Sequence, residues 1–169
     1  ENEKLKNAGG DFQFDFNTTS ITSLEEDLKQ AQKILDTFKD KDGNINLKTE
    51  GAIEAMQIVS TLQAKLDDLK SKQYGIGLTV EDEKFEKPLE NLQEYGRTVA
   101  ELNQLKINPN VNSERIKELE GELEEISKYF ANLNGDLKVE LGFEADDNWE
   151  EIQKKIESGE VKIPTVLDI

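Results

Sequence analysis

The chain has 169 residues, 37 acidic against 21 basic side chains, and neither cysteine nor histidine. Such a length suits one domain or two very small ones, and Leu, Ile, Val and Phe together make 46 residues, enough for a core. The missing residue types exclude a disulfide framework, a thiol nucleophile, an ordinary haem or zinc site and a His general base, while a net charge of −16 opposes phosphate backbones and anionic membrane surfaces.

Phe12, Phe14 and Phe16 alternate with polar residues, a period that predicts a half-buried strand. Thr22 and Glu25 have capping-box spacing, ahead of a helical stripe of Leu24, Leu28, Ala31, Leu35 and Phe38. Asp40-Lys41-Asp42-Gly43-Asn44 breaks that helix, and Ile45 and Leu47 alternate as a second short strand. The next stripe is Ala55, Val59, Leu62, Leu66 and Leu69. Ile76, Leu78 and Val80 predict a third strand, and Asp82 is placed to cap the next element.

A third helix carries Leu89, Leu92, Val99 and Leu102, with Pro88 tolerable only in its first turn. Asn108-Pro109-Asn110 ends it in a loop, although a degenerate strand over 105–111 is the alternative. Ser113 caps a fourth helix along Ile116, Leu119, Leu123, Ile126, Phe130 and Leu133, which Asn134-Gly135 stops. Leu137, Val139, Leu141 and Phe143 predict the longest strand. Asp147 and Glu150 then cap a short helix bearing Trp149, Ile152 and Ile156, and Val161 and Ile163 begin a last strand.

The predicted order is βαβαβααβαβ: an α/β fold with two layers, a mixed five-stranded sheet covered on one face by helices, and a long helical hairpin at about 84–133. The strand centres at Phe14, Leu47 and Leu78, and later Leu141, recur at a period that suggests duplication of a strand-helix unit. Residues 1–10 read as the tail of a preceding segment and 11–169 as a single domain. The opening at Glu1 without Met and the close on Val166-Leu167-Asp168-Ile169 read as a piece excised from a longer protein. No stretch reaches the ~20 apolar residues of a membrane span, and no signal-peptide core is present.

Among candidate sites, Asp40, Asp42 and Asn44 match positions 1, 3 and 5 of an EF-hand calcium loop. The match fails where Ile45 stands for the turn glycine, and where Gly51 occupies the place of the closing glutamate while Glu50 falls one residue short. A polar loop is the expectation, and no metal or other cofactor is assigned. Glu114, Glu118, Glu120, Glu122, Glu124 and Glu125 crowd the fourth helix. They read either as a solvated face or as an anionic surface for a basic partner. Paired carboxylates are too common here to single out a glycosidase pair, Trp149 has the spacing of packing, and Gly75 and Gly77 lack the residues of a phosphate loop. The expectation is no catalytic site.

The units Ile45-Asn46-Leu47-Lys48-Thr49-Glu50-Gly51 and Ile76-Gly77-Leu78-Thr79-Val80-Glu81-Asp82, each before a helix, and the stretch from Phe14 to Leu47 resemble tail tape-measure proteins of long-tailed phages and prophages of gut-dwelling Gram-positive bacteria. The resemblance implies a module of a very long, mostly helical protein that sets tail length. That protein assembles in the host cytoplasm, occupies the lumen of the virion tail and leaves as DNA is ejected. It also implies contacts with other segments or copies of the tape measure and with tail proteins, and neither direct nucleic-acid binding nor a small-molecule substrate. Two other classes make different predictions. An acidic interaction or inhibitor module predicts a contiguous carboxylate face with aromatic anchors. A carboxylate enzyme, with magnesium, predicts a concave site holding three or more convergent acids with raised pKa values.

Overall fold

The computed structural model describes residues 18–167, and the Phe12–Phe16 strand and the 1–10 tail expected from the sequence lie outside them. Of the described residues, 66% are helical and 3% are in strands. The elements are α1 (Thr18–Asp36), α2 (Ala52–Lys70), a 3-10 turn (Ser71–Tyr74), β1 (Leu78–Thr79), a second 3-10 turn (Glu83–Phe85), α3 (Glu86–Leu105), α4 (Ser113–Ala131), α5 (Gly135–Glu140), α6 (Trp149–Glu157) and β2 (Val166–Leu167). The described residues divide into two compact units, one of 18–70 with 98–121 and the other of 71–97 with 122–167.

In the first unit, α1 and α2 pack as a pair, and the 4-3-4 spacing of Leu24, Leu28, Ala31 and Leu35 explains why. Leu28, Ala31 and Leu35 meet Ala52, Ala55, Val59 and Leu66 in one core, which Ile107 joins. Full burial of side chains such as Leu35 and Val59 contributes about 1.5–3 kcal/mol each. Lys70, at the end of α2, reaches Glu25 near the start of α1 at 3.8 Å, so the pair is antiparallel. The connection between them turns at Gly43, whose φ of 84° favours glycine, and closes with a single antiparallel bridge between Lys39 and Ile45.

In the second unit, Phe85, Leu89, Leu92 and Tyr95 of the α3 approach are buried, as are Ile126 and Phe130 of α4 and Ile152 and Ile156 of α6. Aromatic rings form a continuous chain through this core. Tyr74 meets Tyr95 edge-on at 5.7 Å and Tyr95 meets Trp149 edge-on at 5.8 Å. Trp149 stacks on Phe130 at 6.2 Å, and Phe130 meets Phe143 edge-on at 6.3 Å. The sole β-ladder among the described residues pairs Leu78 with Leu167 and Thr79 with Val166, antiparallel.

The two-layer α/β expectation is therefore corrected: the described residues hold six α-helices and no five-stranded sheet. Ile45 makes only the isolated bridge, and Leu47 is 43% exposed, so that segment is a turn with one buried anchor. The third strand shrinks to Leu78–Thr79. The predicted longest strand is instead α5 and its exit turn. Asn134 accepts from the Leu137 N–H at 2.8 Å, so Asn134-Gly135 opens a helix rather than ending one. Leu141 and Phe143 are buried while Val139 is exposed, a pattern that period two alone does not give.

The final segment shows alternating burial at Val161, Ile163 and Thr165, but beyond an isolated bridge at Pro164 its strand is only Val166–Leu167. With the strands goes the strand-helix duplication read from their spacing. Two caps also shift. Thr22 lies inside α1, and the box before α6 is made by Asn148 and Glu151, one residue beyond the expected pair. Asp82 does cap the turn leading into α3, accepting from the Lys84 N–H, and Pro88 sits in the first turn of that helix.

Candidate functional site

The Asp40–Asn44 segment is a tight turn whose polar atoms are engaged with each other. Oδ1 of Asp40 accepts from the backbone N–H of Asp42 at 2.9 Å and of Asn44 at 3.0 Å. The Asp40 N–H donates to the Asn44 carbonyl at 2.9 Å, and Asn44 Oδ1 accepts from the Asn110 side chain. Oxygens that the calcium pattern would use as ligands thus serve as acceptors that shape the turn. Among the described residues, no three or more acidic side chains gather as a metal-binding group.

The glutamates of α4 are exposed, and most sit beside a cation. Glu118 pairs with Arg115 at 3.2 Å and Glu120 with Lys106 at 3.6 Å. Glu124 and Glu125 share Lys128 at 3.6 and 3.5 Å. Arg115 also holds Glu101 of α3 through two hydrogen bonds, 2.8 and 3.0 Å, and this contact draws the Glu101 carboxyl below the ordinary carboxylate range. Ion pairs this exposed add little stability, because water screens both charges. Trp149 is half-buried in the aromatic chain, as its spacing implied. Gly75 and Gly77 both take positive φ in the turn before β1, where Gln93 Nε2 donates to the carbonyls of Gly75 at 2.7 Å and Leu78 at 3.0 Å.

Three polar centres were not foreseen. In the second unit, the Glu157 carboxylate accepts from Tyr95 at 2.7 Å and from Tyr74 at 3.1 Å, and Gln153 donates to the Tyr95 hydroxyl at 3.1 Å. Burial, then the charge of Glu157, pushes the Tyr95 phenol far above its usual range. Nearby in sequence, buried Asp147 accepts from the Glu144 N–H and from Lys155, both at 2.9 Å, while buried Lys138 donates to the Asp147 carbonyl at 3.0 Å. The backbone hydrogen bond first, and then Lys155, hold the Asp147 carboxyl below its ordinary value.

The third centre is a cavity of about 320 Å³ in the first unit, lined by α1, α2 and the end of α3. Leu35, Val59 and Ile107 form its apolar part, and Lys39, Lys106, Asp36, Gln63 and Asn103 bring polar groups to it. Asp67 Oδ1 accepts from both Gln63 Nε2 and Asn103 Nδ2 at 3.1 Å. A separate depression of about 340 Å³ in the same unit, at Met56, Gln104 and Val111, is lined by no charged residue.

Comparison with protein-family models, with curated proteins and with solved structures finds no match for this chain. No helix among the described residues is long and apolar enough to cross a membrane.

Proposed function

We propose that this chain is a non-enzymatic helical module with a structural role, of the kind that a phage tail tape-measure protein uses between its other segments. The observation that carries the reading is the disposition of the carboxylates. Among the described residues most lie exposed along helix faces or beside lysine and arginine, and Glu101 and Asp147, whose acidity departs clearly from normal, are shifted downward. A carboxylate acid-base pair needs the opposite, convergent acids with at least one raised pKa. The exposed large apolar side chains among the described residues are aliphatic, with Ile34, Ile58 and Val111 prominent. That favours the structural reading over an inhibitor surface, for which aromatic anchors amid the charge are expected.

A helical module suits a mostly helical tape measure, and a net charge of −16 suits a lumen through which DNA slides without sticking. Other tail segments, or copies of the same chain, are the partners in this reading. Titration of a labelled DNA duplex at physiological salt tests the lumen role. The expected result is no binding at micromolar protein, and nanomolar binding would overturn it.

A further inference from the structure

The segment that follows α6 has the burial of a strand ahead of the point where β2 begins. Val161, Ile163 and Thr165 are each at most 4% exposed, while Lys162 and Pro164 between them are exposed. That is the period of an extended chain with one face on a core. On one edge its backbone is engaged, since the Lys162 N–H donates to the Leu141 carbonyl at 2.9 Å. In an extended chain the backbone groups of Ile163 and Thr165 point to the opposite edge.

Pro164 marks that opposite edge, because it forms an isolated β-bridge. Proline has no N–H, so the bridge runs through the Ile163 carbonyl and the Thr165 N–H. Among the described residues no other bridging residue answers it: Lys39 pairs with Ile45, and β1 with β2. An edge of this kind, beside a buried face, takes one more strand.

We propose that residues 11–16 of the same chain dock on this edge as an added strand. Phe12, Phe14 and Phe16 alternate with Gln13, Asp15 and Asn17. An added strand would turn the three rings to the buried face of Val161 and Ile163, and Asp15 to the outer face that carries Lys162. Covalent connection keeps the segment within reach. Lys70 pairs with Glu25 in the early turns of α1, and three residues after Lys70 the Gln73 side chain donates to the Glu157 carbonyl, which leads into the edge. A second copy could offer the same strand, but a net charge of −16 on each chain opposes that approach, whereas a short tether supplies the segment at roughly millimolar effective concentration. The inference goes beyond the structural role and does not depend on it.

The test is NMR spectroscopy of the 169-residue chain. Contacts from the rings of Phe12, Phe14 and Phe16 to the methyl groups of Val161 and Ile163 are expected, with slow exchange of the Thr165 amide. In a mixture of labelled and unlabelled chains, these contacts should stay within one chain. Phe14→Asp should speed exchange at Thr165 about ten-fold or more, with the Leu28 and Val59 amides of α1 and α2 still protected. Should that variant not fold, the ring-to-methyl contacts of the unaltered chain decide alone. Absence of those contacts, their occurrence between chains, or unchanged Thr165 exchange in a folded Phe14→Asp variant would each overturn the proposal.

Discussion

Glu157 shows how one side chain ties several elements of its unit: its carboxylate receives hydroxyls from the 3-10 turn and from α3. Glu157→Ala would leave the hydroxyl of Tyr95, a residue only 2% exposed, without its acceptor, and should cost about 1.5–3 kcal/mol in urea denaturation. The same phenol gives a pH signature. Its folded pKa lies above the unfolded value of about 10, so its contribution is intact below that pH and is lost as pH rises toward the folded value. Tyr129, pushed up to about 12 by burial and then by Glu90, acts in the same direction. Ultraviolet titration should therefore show Tyr95 ionising only together with unfolding and Tyr129 ionising near 12; ionisation of both near 10 in the folded chain would contradict these surroundings.

Asp147 works in the opposite sense. Its folded pKa is depressed, so its contribution is present above about pH 4 and is lost as pH falls through the folded value. Asp147→Asn should destabilise the chain by about 1–3 kcal/mol at neutral pH, with the difference from the parent shrinking in acid. The cavity residues were illegible in the sequence because Asp67 and Asn103 lie 36 positions apart and only folding joins them. One signal was present. Gln63 occupies the buried face of α2 between Val59 and Leu66, where the stripe otherwise runs apolar.

At the scale of elements, the four long helices were readable because their apolar stripes recur every three or four residues for several turns. The apolar runs of two to four residues were not readable, since alternation over so short a span fits either period. Leu137 and Leu141 stand at helical spacing as well as strand spacing. The buried partner of Lys138, the Asp147 carbonyl nine residues on, is what draws that segment inward. Two glycines test how packing overrides propensity. In α4, Gly121 has open space where a Cβ would go, and Gly121→Ala should stabilise by about 0.5–1 kcal/mol. In α3, a Cβ on Gly96 would lie 2.5 Å from the Tyr74 ring, so Gly96→Ala should destabilise by about 1–3 kcal/mol despite the better helix former. Thermal melts of the two variants should move in opposite directions.

For the whole molecule, composition foretold an acidic chain able to form a core, whereas the α/β architecture failed because local alternation was extended into a five-stranded sheet of which the described residues form only the two-residue ladder of β1 and β2. The proposal that matters most at this scale is that the helical chain serves as a structural module within a longer tape measure. Its sharpest test is tail length, measured by electron microscopy, after deleting residues 18–167 from the tape-measure chain that this reading supposes. At ~1.5 Å per helical residue, tails should be shortened by an amount up to roughly 200 Å and be otherwise intact. Tails of unchanged length would contradict the proposal.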